Sequence, residues 1–321
     1  CISLFSSAQS VKKVVLNPIE KSLKEIMSYG TPQIKANEYK IYQIDFDALK
    51  NQMDGVGHID DNTSGFVAAI RIPLADGSMH EFLSKENNTM ARELAANFPK
   101  IKTFDGIGSV SGEIANWDIT PHGFHAMIYI PGKGTVFIDP VIKGNTEFYI
   151  VYNKNDFTTD KIMDCGLIDE ISSTPSYTVK AGSCELRTYR LALAATGEYT
   201  AFHGGTVAGA LAAQVTTMNR VNGVYERDIA IRMTIIGNNN LIIYTNAGTD
   251  PYTNNNGGTM LGQNQTTCDA VIGNANYDIG HVFSTGGGGI AQLYSPCSTN
   301  NKARGVTGSS APVGDPFDID Y

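Results

Sequence analysis

Five cysteines and six histidines are the side chains best able to bind a metal or attack a substrate. If the chain is exported, Cys165, Cys184, Cys268 and Cys297 form an even set that can pair as disulfides in three ways. His122 and His125 stand three apart, but Gly123 between them and the strand pattern that follows place them on a turn, which disfavours a metal pair. Residues 245–267, with Asn254-Asn255-Asn256-Gly257-Gly258, offer many oxygens. They lack acidic ligands at EF-hand spacing, so a surface loop is the better reading and calcium is unsupported. The glycines at 286–289 lead into the apolar residues 290–293 rather than into a helix, so they do not form a phosphate cradle. The sequence contains no Gly-x-Ser-x-Gly, no Gly-Lys-Ser/Thr, no His-Glu-x-x-His and no Cys-x-x-Cys. Residues 1–321 therefore lack the usual motifs of a catalytic centre.

The elements around these residues fall into two styles. In the first part, residues 39–46 are β-rich, 65–73 and 78–83 flank an Asp76-Gly77 turn, and 124–130 and 135–138 flank Pro131-Gly132-Lys133-Gly134. Residues 90–98 predict a helix. In the second part, residues 186–195 pass from alternation to a continuous apolar run, the pattern of a strand entering a buried sheet. Val207, Leu211, Val215, Met218 and Tyr225 then recur at helical spacing and predict an ordinary core-facing helix. Residues 229–236 and 241–244 predict further strands, and Cys268 is expected to open a short helical stretch through Ile272. Strands alternating with helices imply an α/β layer in this part.

Charge density marks the boundary. Residues 1–184 hold 17 Lys and Arg and 22 Asp and Glu, against 7 and 10 in residues 185–321. Residues 171–183 between them are small, Pro-containing and without apolar period, as a linker would be. The expected division is thus a leader remnant at 1–8, a domain at 9–170, a linker at 171–185 and a second domain at 186–321. Net charge is −8, which supplies no basic field for nucleic acid or anionic membrane. No apolar run reaches the roughly 18 residues of a membrane helix. Residues 1–9, Cys-Ile-Ser-Leu-Phe-Ser-Ser-Ala-Gln, read as the end of a signal segment with cleavage after Ala8, and hence as a secreted protein. A lipid-modified Cys1 is the rival, disfavoured by the apolar Ile2, Leu4 and Phe5.

Asp315-Pro316 is a helix-start signal, with Asp318 and Asp320 in the first turn and Phe317 and Tyr321 four apart. A helix of that length without a C-cap is unstable alone, so the expectation is a chain cut short. With this ending, residues 186–199 (LRTYRLALAATGEY), 277–289 (YDIGHVFSTGGGG) and 302–321 carry a resemblance to the front half of a reprolysin-like zinc metallopeptidase of the metzincin type. Residues 9 to about 184 are similar to the propeptide of its bacterial secreted members. The resemblance implies an α+β or α/β fold: a β-rich propeptide domain, then the start of a catalytic domain with a mixed twisted sheet. It also implies a zinc-dependent endopeptidase zymogen, whose His-Glu-x-x-His motif and Zn2+ ligands lie just after Tyr321. On that reading residues 1–321 are inactive by themselves, the substrate is a peptide or protein, and the propeptide is an intramolecular inhibitor.

Three residue-level expectations follow from the resemblance. Gly288, Gly289, Ile290, Ala291, Gln292 and Leu293 match the family's edge strand, beside which substrate backbone adds antiparallel; a paired interior strand is the alternative. Cys268 and Cys297 would form a disulfide around that strand. Cys165 would act as a latency switch by taking the zinc position of the hydrolytic water, although residues 161–169 lack a switch consensus. A Cys165–Cys184 disulfide, or a free Cys184, competes with that role. His281 is expected to be a packed structural residue. The alternative function is a non-catalytic exported binding or adhesion module on the same scaffold.

Overall fold

A computed structural model describes residues 9–61, 64–162, 165–168, 185–286 and 288–316. The expected leader remnant at 1–8, Cys184, the linker apart from Glu185, and the helix expected over 317–321 lie outside the described residues. Two compact units result. The first comprises Cys1–Asn88, Phe98–Asp160 and Val215–Gly223, and the second Thr89–Asn97, Lys161–Gln214 and Val224–Tyr321.

The first unit is built on ten strands: β1 (Val11–Val14), β2 (Ile19–Lys21), β3 (Lys40–Gln43), β4 (Val67–Pro73), β5 (Met79–Glu86), β6 (Lys102–Gly108), β7 (Ile114–Thr120), β8 (Gly123–Ile130), β9 (Gly134–Pro140) and β10 (Phe148–Asn153). Helices α1 (Leu23–Ile26) and α2 (Phe46–Met53) complete it, and α3 (Arg92–Asn97) belongs to the second unit. The strand order is β1-β4-β5-β6-β7-β8-β9-β10-β3-β2, an antiparallel meander from β4 to β10 with β1 parallel to β4. The two edge strands are joined by residues 15–18 alone. Such a link spans at most about 18 Å, whereas ten flat strands would set their edges about 43 Å apart. The sheet must therefore curl, and Asn17 takes a left-handed φ of 44° in the link.

Alternation supplies the filling of the curl. Ala68, Ile70 and Ile72 on β4, Phe82, Phe104, Trp117, Phe124, Ala126, Ile128, Ile138, Tyr149 and Val151 form one buried core. Trp117 stacks on Phe104 with ring centroids 4.2 Å apart and donates its indole N–H to Ser84 Oγ at 3.1 Å, so its one polar atom is satisfied. Helix α2 adds Phe46, Leu49 and Met53 to the same core, and its N-cap Asp45 accepts from the Ala48 N–H at 2.9 Å. This β-rich unit agrees with the expected hairpins. Residues 44–46, expected to extend a strand, instead turn at Asp45 into α2.

In the second unit, β11 (Cys165–Ile168), β12 (Arg187–Ala195), β13 (Ile231–Ile235), β14 (Ile279–Ser284), β15 (Gly289–Gln292) and β16 (Gly305–Gly308) form a mixed sheet of order β11-β15-β16-β14-β12-β13. Its helices are α4 (Gly197–Phe202), α6 (Gly257–Val271) and the two ends of α5 (Val207–Ile229), whose middle, Val215–Gly223, belongs to the first unit. The fold class is as expected: mixed α and β, with a twisted mixed sheet in the second part. Leu191 to Ala195 are buried throughout, which explains the continuous apolar run of β12.

Local corrections have clear causes. Helix α5 runs from an N-cap Thr206 to Ile229 and ends on Ala230 at φ 54°, so the next strand starts at Ile231, not Ile229. Tyr225, expected on the apolar stripe, is exposed. Residues 241–244, expected as a strand, begin in a short 3-10 turn, Asn239–Ile242. The stretch expected as a long polar loop contains most of α6, a helix of fifteen residues with Cys268 near its end rather than its start. Its apolar period is hidden by composition: Met260, Leu261, Asn264 and Cys268 face inward, and the buried Asn264 hydrogen-bonds Tyr252 and the Ala303 carbonyl. The N-cap Asn256 accepts from the Thr259 N–H at 3.0 Å.

Candidate functional site: the β15 strand and its surroundings

β15 holds four of the six residues singled out for peptide binding, with Gly288 before it at φ 64° and Leu293 just after it. On one side it pairs antiparallel with β16, Gly289 opposite Thr307, Ile290 opposite Val306 and Ala291 opposite Gly305. Its other side carries β11 in parallel, Cys165 opposite Gly289, Gly166 opposite Ile290, Leu167 opposite Ala291 and Ile168 opposite Gln292. The strand expected to be an open edge is thus paired on both sides, and the sheet ends at β11. Nothing in residues 161–169 signals that strand: four residues with a glycine are too short for a period to register.

β15 is held in place from β16. The Gln292 N–H donates to the Arg304 carbonyl at 3.1 Å, the Gln292 side-chain oxygen accepts from Arg304 Nη1 at 2.6 Å, and the Gly308 N–H donates to the Gly288 carbonyl at 2.8 Å. The glycine run is there for close packing. A methyl group on Gly308 would collide with the Gly286 carbonyl, and one on Gly286 with the Asn255 side chain. Asn254 secures the loop, accepting from the Thr285 N–H at 3.1 Å and donating to Thr285 Oγ1 at 3.0 Å. Asp250 accepts from the Gly197 N–H at 2.6 Å and from the Tyr252 N–H at 2.9 Å, so these loop oxygens are engaged by protein donors.

The other candidates are scattered. Cys268 and Cys297 are both free thiols, so the expected bridge between them is not formed. Cys268 points into the core from α6, where burial pushes its pKa up to about 12, whereas Cys297 is exposed at a φ of 62°. The strand backbone of Cys165 is placed, and its side chain and all of Cys184 lie outside the description. His281 lies on β14, with Nε2 2.8 Å from Thr307 Oγ1 and its ring edge-on to Phe283; burial lowers its pKa to about 4. A methyl group on Gly305 would strike the His281 ring, which confirms a packed role for it. In the first unit His122 is on the β7–β8 turn, and His125 Nδ1 lies 2.9 Å from Asp118 Oδ1. Among the described residues no three His, Cys, Asp or Glu side chains come together to hold a metal, so these residues do not build a zinc site. No described helix is long and apolar enough to cross a membrane.

Sequence reasoning missed one cluster. In the first unit Arg220, 1% exposed, donates to Asp139 Oδ1 at 2.6 Å and to the Ile138 carbonyl at 3.2 Å, and lies over the Phe137 ring. Arg220 falls on the face of the predicted helix opposite the stripe of Val207, Leu211, Val215 and Met218, and Asp139 just follows the predicted strand 135–138, so neither carried a local signal of burial. Spacing alone could not join residues 81 apart.

Residues 185–321 match the family model of the metallo-peptidase family M12B, reprolysin-like. No curated protein matches the chain. The resemblance drawn from the sequence is thereby borne out for this span, which is similar to the reprolysin-like metallopeptidases.

Proposed function

We propose that this protein, whose residues 185–321 match the reprolysin-like M12B metallopeptidase family, is the zymogen of a secreted endopeptidase. Residues 9–170 act as its propeptide and residues 171–185 as the activation segment. The carrying observation is the pairing of β11 along β15. A strand offering free main-chain N–H and C=O groups binds extended peptides with little regard to sequence. Here the chain's own residues 165–168 satisfy those groups, in parallel, which is opposite to the direction expected of a substrate. The same segment therefore blocks the strand and presents no bond in a productive sense.

Zinc is the metal expected of this family, and it supplies a Lewis acid that activates water and polarises the scissile carbonyl. The residues described here do not form its site, and they are assigned no step in bond cleavage. Their part is to bind and align the peptide main chain, with Gly289 to Gln292 as the template and Arg304 and Gln292 fixing its end. Cys165 opens the blocking strand, and its position there supports a role as a latency residue.

The test uses the full-length protein and an unfolded protein substrate. Chelator-sensitive hydrolysis is expected once residues 165–168 are deleted, and not before. Absence of hydrolysis in both forms favours the non-catalytic binding module instead. Full-length Cys165→Ala that stays as latent as wild type before cleavage of the activation segment removes the cysteine from the mechanism.

A further inference from the structure

Each compact unit is completed by a short segment from the other part of the chain. Val215–Gly223, the middle of α5, belongs to the first unit. There Thr216 Oγ1 donates to Asp118 at 3.0 Å, Asn219 donates to the Trp117 carbonyl at 3.0 Å and accepts from Asn87 at 2.8 Å, and Arg220 pairs with Asp139. Gly223 leaves room for Asn116, whose side-chain oxygen a methyl group at 223 would strike. All of these partners are buried. Conversely, Thr89–Asn97 belongs to the second unit. Met90 bridges Ile235 in parallel, the Ala91 N–H donates to the Ile235 carbonyl at 2.8 Å, and the Ile235 N–H donates to the Thr89 carbonyl at 2.9 Å. Thus β13, one outer strand of the second sheet, is covered by residues 89–91, and β15 is covered by residues 165–168.

We infer that severing the chain between Ile168 and Glu185 does not release the N-terminal piece. Three separate attachments would remain, at 89–91 on β13, at 165–168 on β15, and at 215–223 on the face of β7 to β9. Loss of any one leaves the other two holding its partner at high local concentration, so the three must open together. The buried Arg220–Asp139 pair adds specificity: a helix without the arginine would leave Asp139 desolvated and uncompensated. Joined to the function proposed above, activation takes a cut in the 171–185 segment followed by destruction or displacement of the N-terminal piece, and the cut alone is insufficient.

The experiment introduces a site-specific protease sequence between residues 169 and 184 of the full-length protein, cuts it, and follows both pieces by size-exclusion chromatography at roughly 1 μM. Co-elution of the cut wild-type pieces is expected. Asn219→Ala, which removes two buried hydrogen bonds without stranding a charge, is expected to speed their separation about tenfold. Asp139→Asn is expected to do so more strongly. Separate elution of the cut wild-type pieces overturns the inference, and so does co-elution that neither substitution changes. The readout involves no hydrolysis, so it can fail while the peptidase assignment stands, and the reverse.

Discussion

Three local environments carry tests at the scale of single residues. Cys297 is exposed and Cys268 is buried with its thiol pushed up to about 12, so the reactive thiolate is scarce at position 268. Iodoacetamide under native conditions should label Cys297 and spare Cys268, read by peptide mass spectrometry; protection of both would restore the disulfide. His281 has its folded pKa lowered from 6.5 to about 4 by burial. Between those values the unfolded chain binds the proton and the folded one does not, so stability is full above about pH 6.5 and is lost as the pH falls toward 4. The loss is on the order of 3 kcal/mol. Denaturant titrations across this range should show the slope, and His281→Gln should flatten it. Arg220 and Asp139 form the third case. Arg220→Ala leaves the buried Asp139 charge without its counter-ion, held by the Tyr152 hydroxyl at 3.0 Å, and should cost about 3 to 5 kcal/mol, whereas replacing both partners with apolar residues should cost far less. Equal losses in the single and double variants would show that the pair is not coupled.

At the level of elements, short pairings and caps decide what is exposed. β11 donates and accepts along β15 through its main chain, and proline cannot donate. Leu167→Pro should therefore raise hydrogen exchange at the amides of residues 289–292, while exchange in β12 and β14 stays unchanged. Unaltered exchange in β15 would mean that β11 does not protect it. Helix α6 depends on its Asn256 cap because its residues 257–263 include three glycines, each costing roughly 1 kcal/mol relative to alanine. Asn256→Ala should lower stability by about 1 kcal/mol, measurable as a shift in denaturation midpoint at constant slope. The same glycines and amides made this stretch read as a loop. The signal of its inward face rests on Met260, Leu261, Asn264 and Cys268, and the asparagine broke the apolar pattern although its amide is fully engaged inside.

For the molecule as a whole, the exchange of Thr89–Asn97 and Val215–Gly223 between the units means that neither is closed by a continuous stretch of chain. Unfolding either one strips the other of a buried segment, so calorimetry should give one cooperative transition with matching calorimetric and van't Hoff enthalpies. Two resolved transitions would contradict that coupling. The sequence by itself determined the hairpins of the first unit, the buried β12, most of α5 and the similarity of residues 185–321 to the reprolysin-like family. Those features are written in local alternation, turn residues and helical spacing, which act over a few positions. The curling of the ten-stranded sheet, the covering of β15 by residues 165–168, the free state of Cys268 and Cys297, and the burial of Arg220 against Asp139 were decided only by the tertiary structure. Each joins groups far apart in the chain. Whether such groups meet depends on which exposed edge or uncompensated charge remains after the local elements have formed, and no local pattern records that.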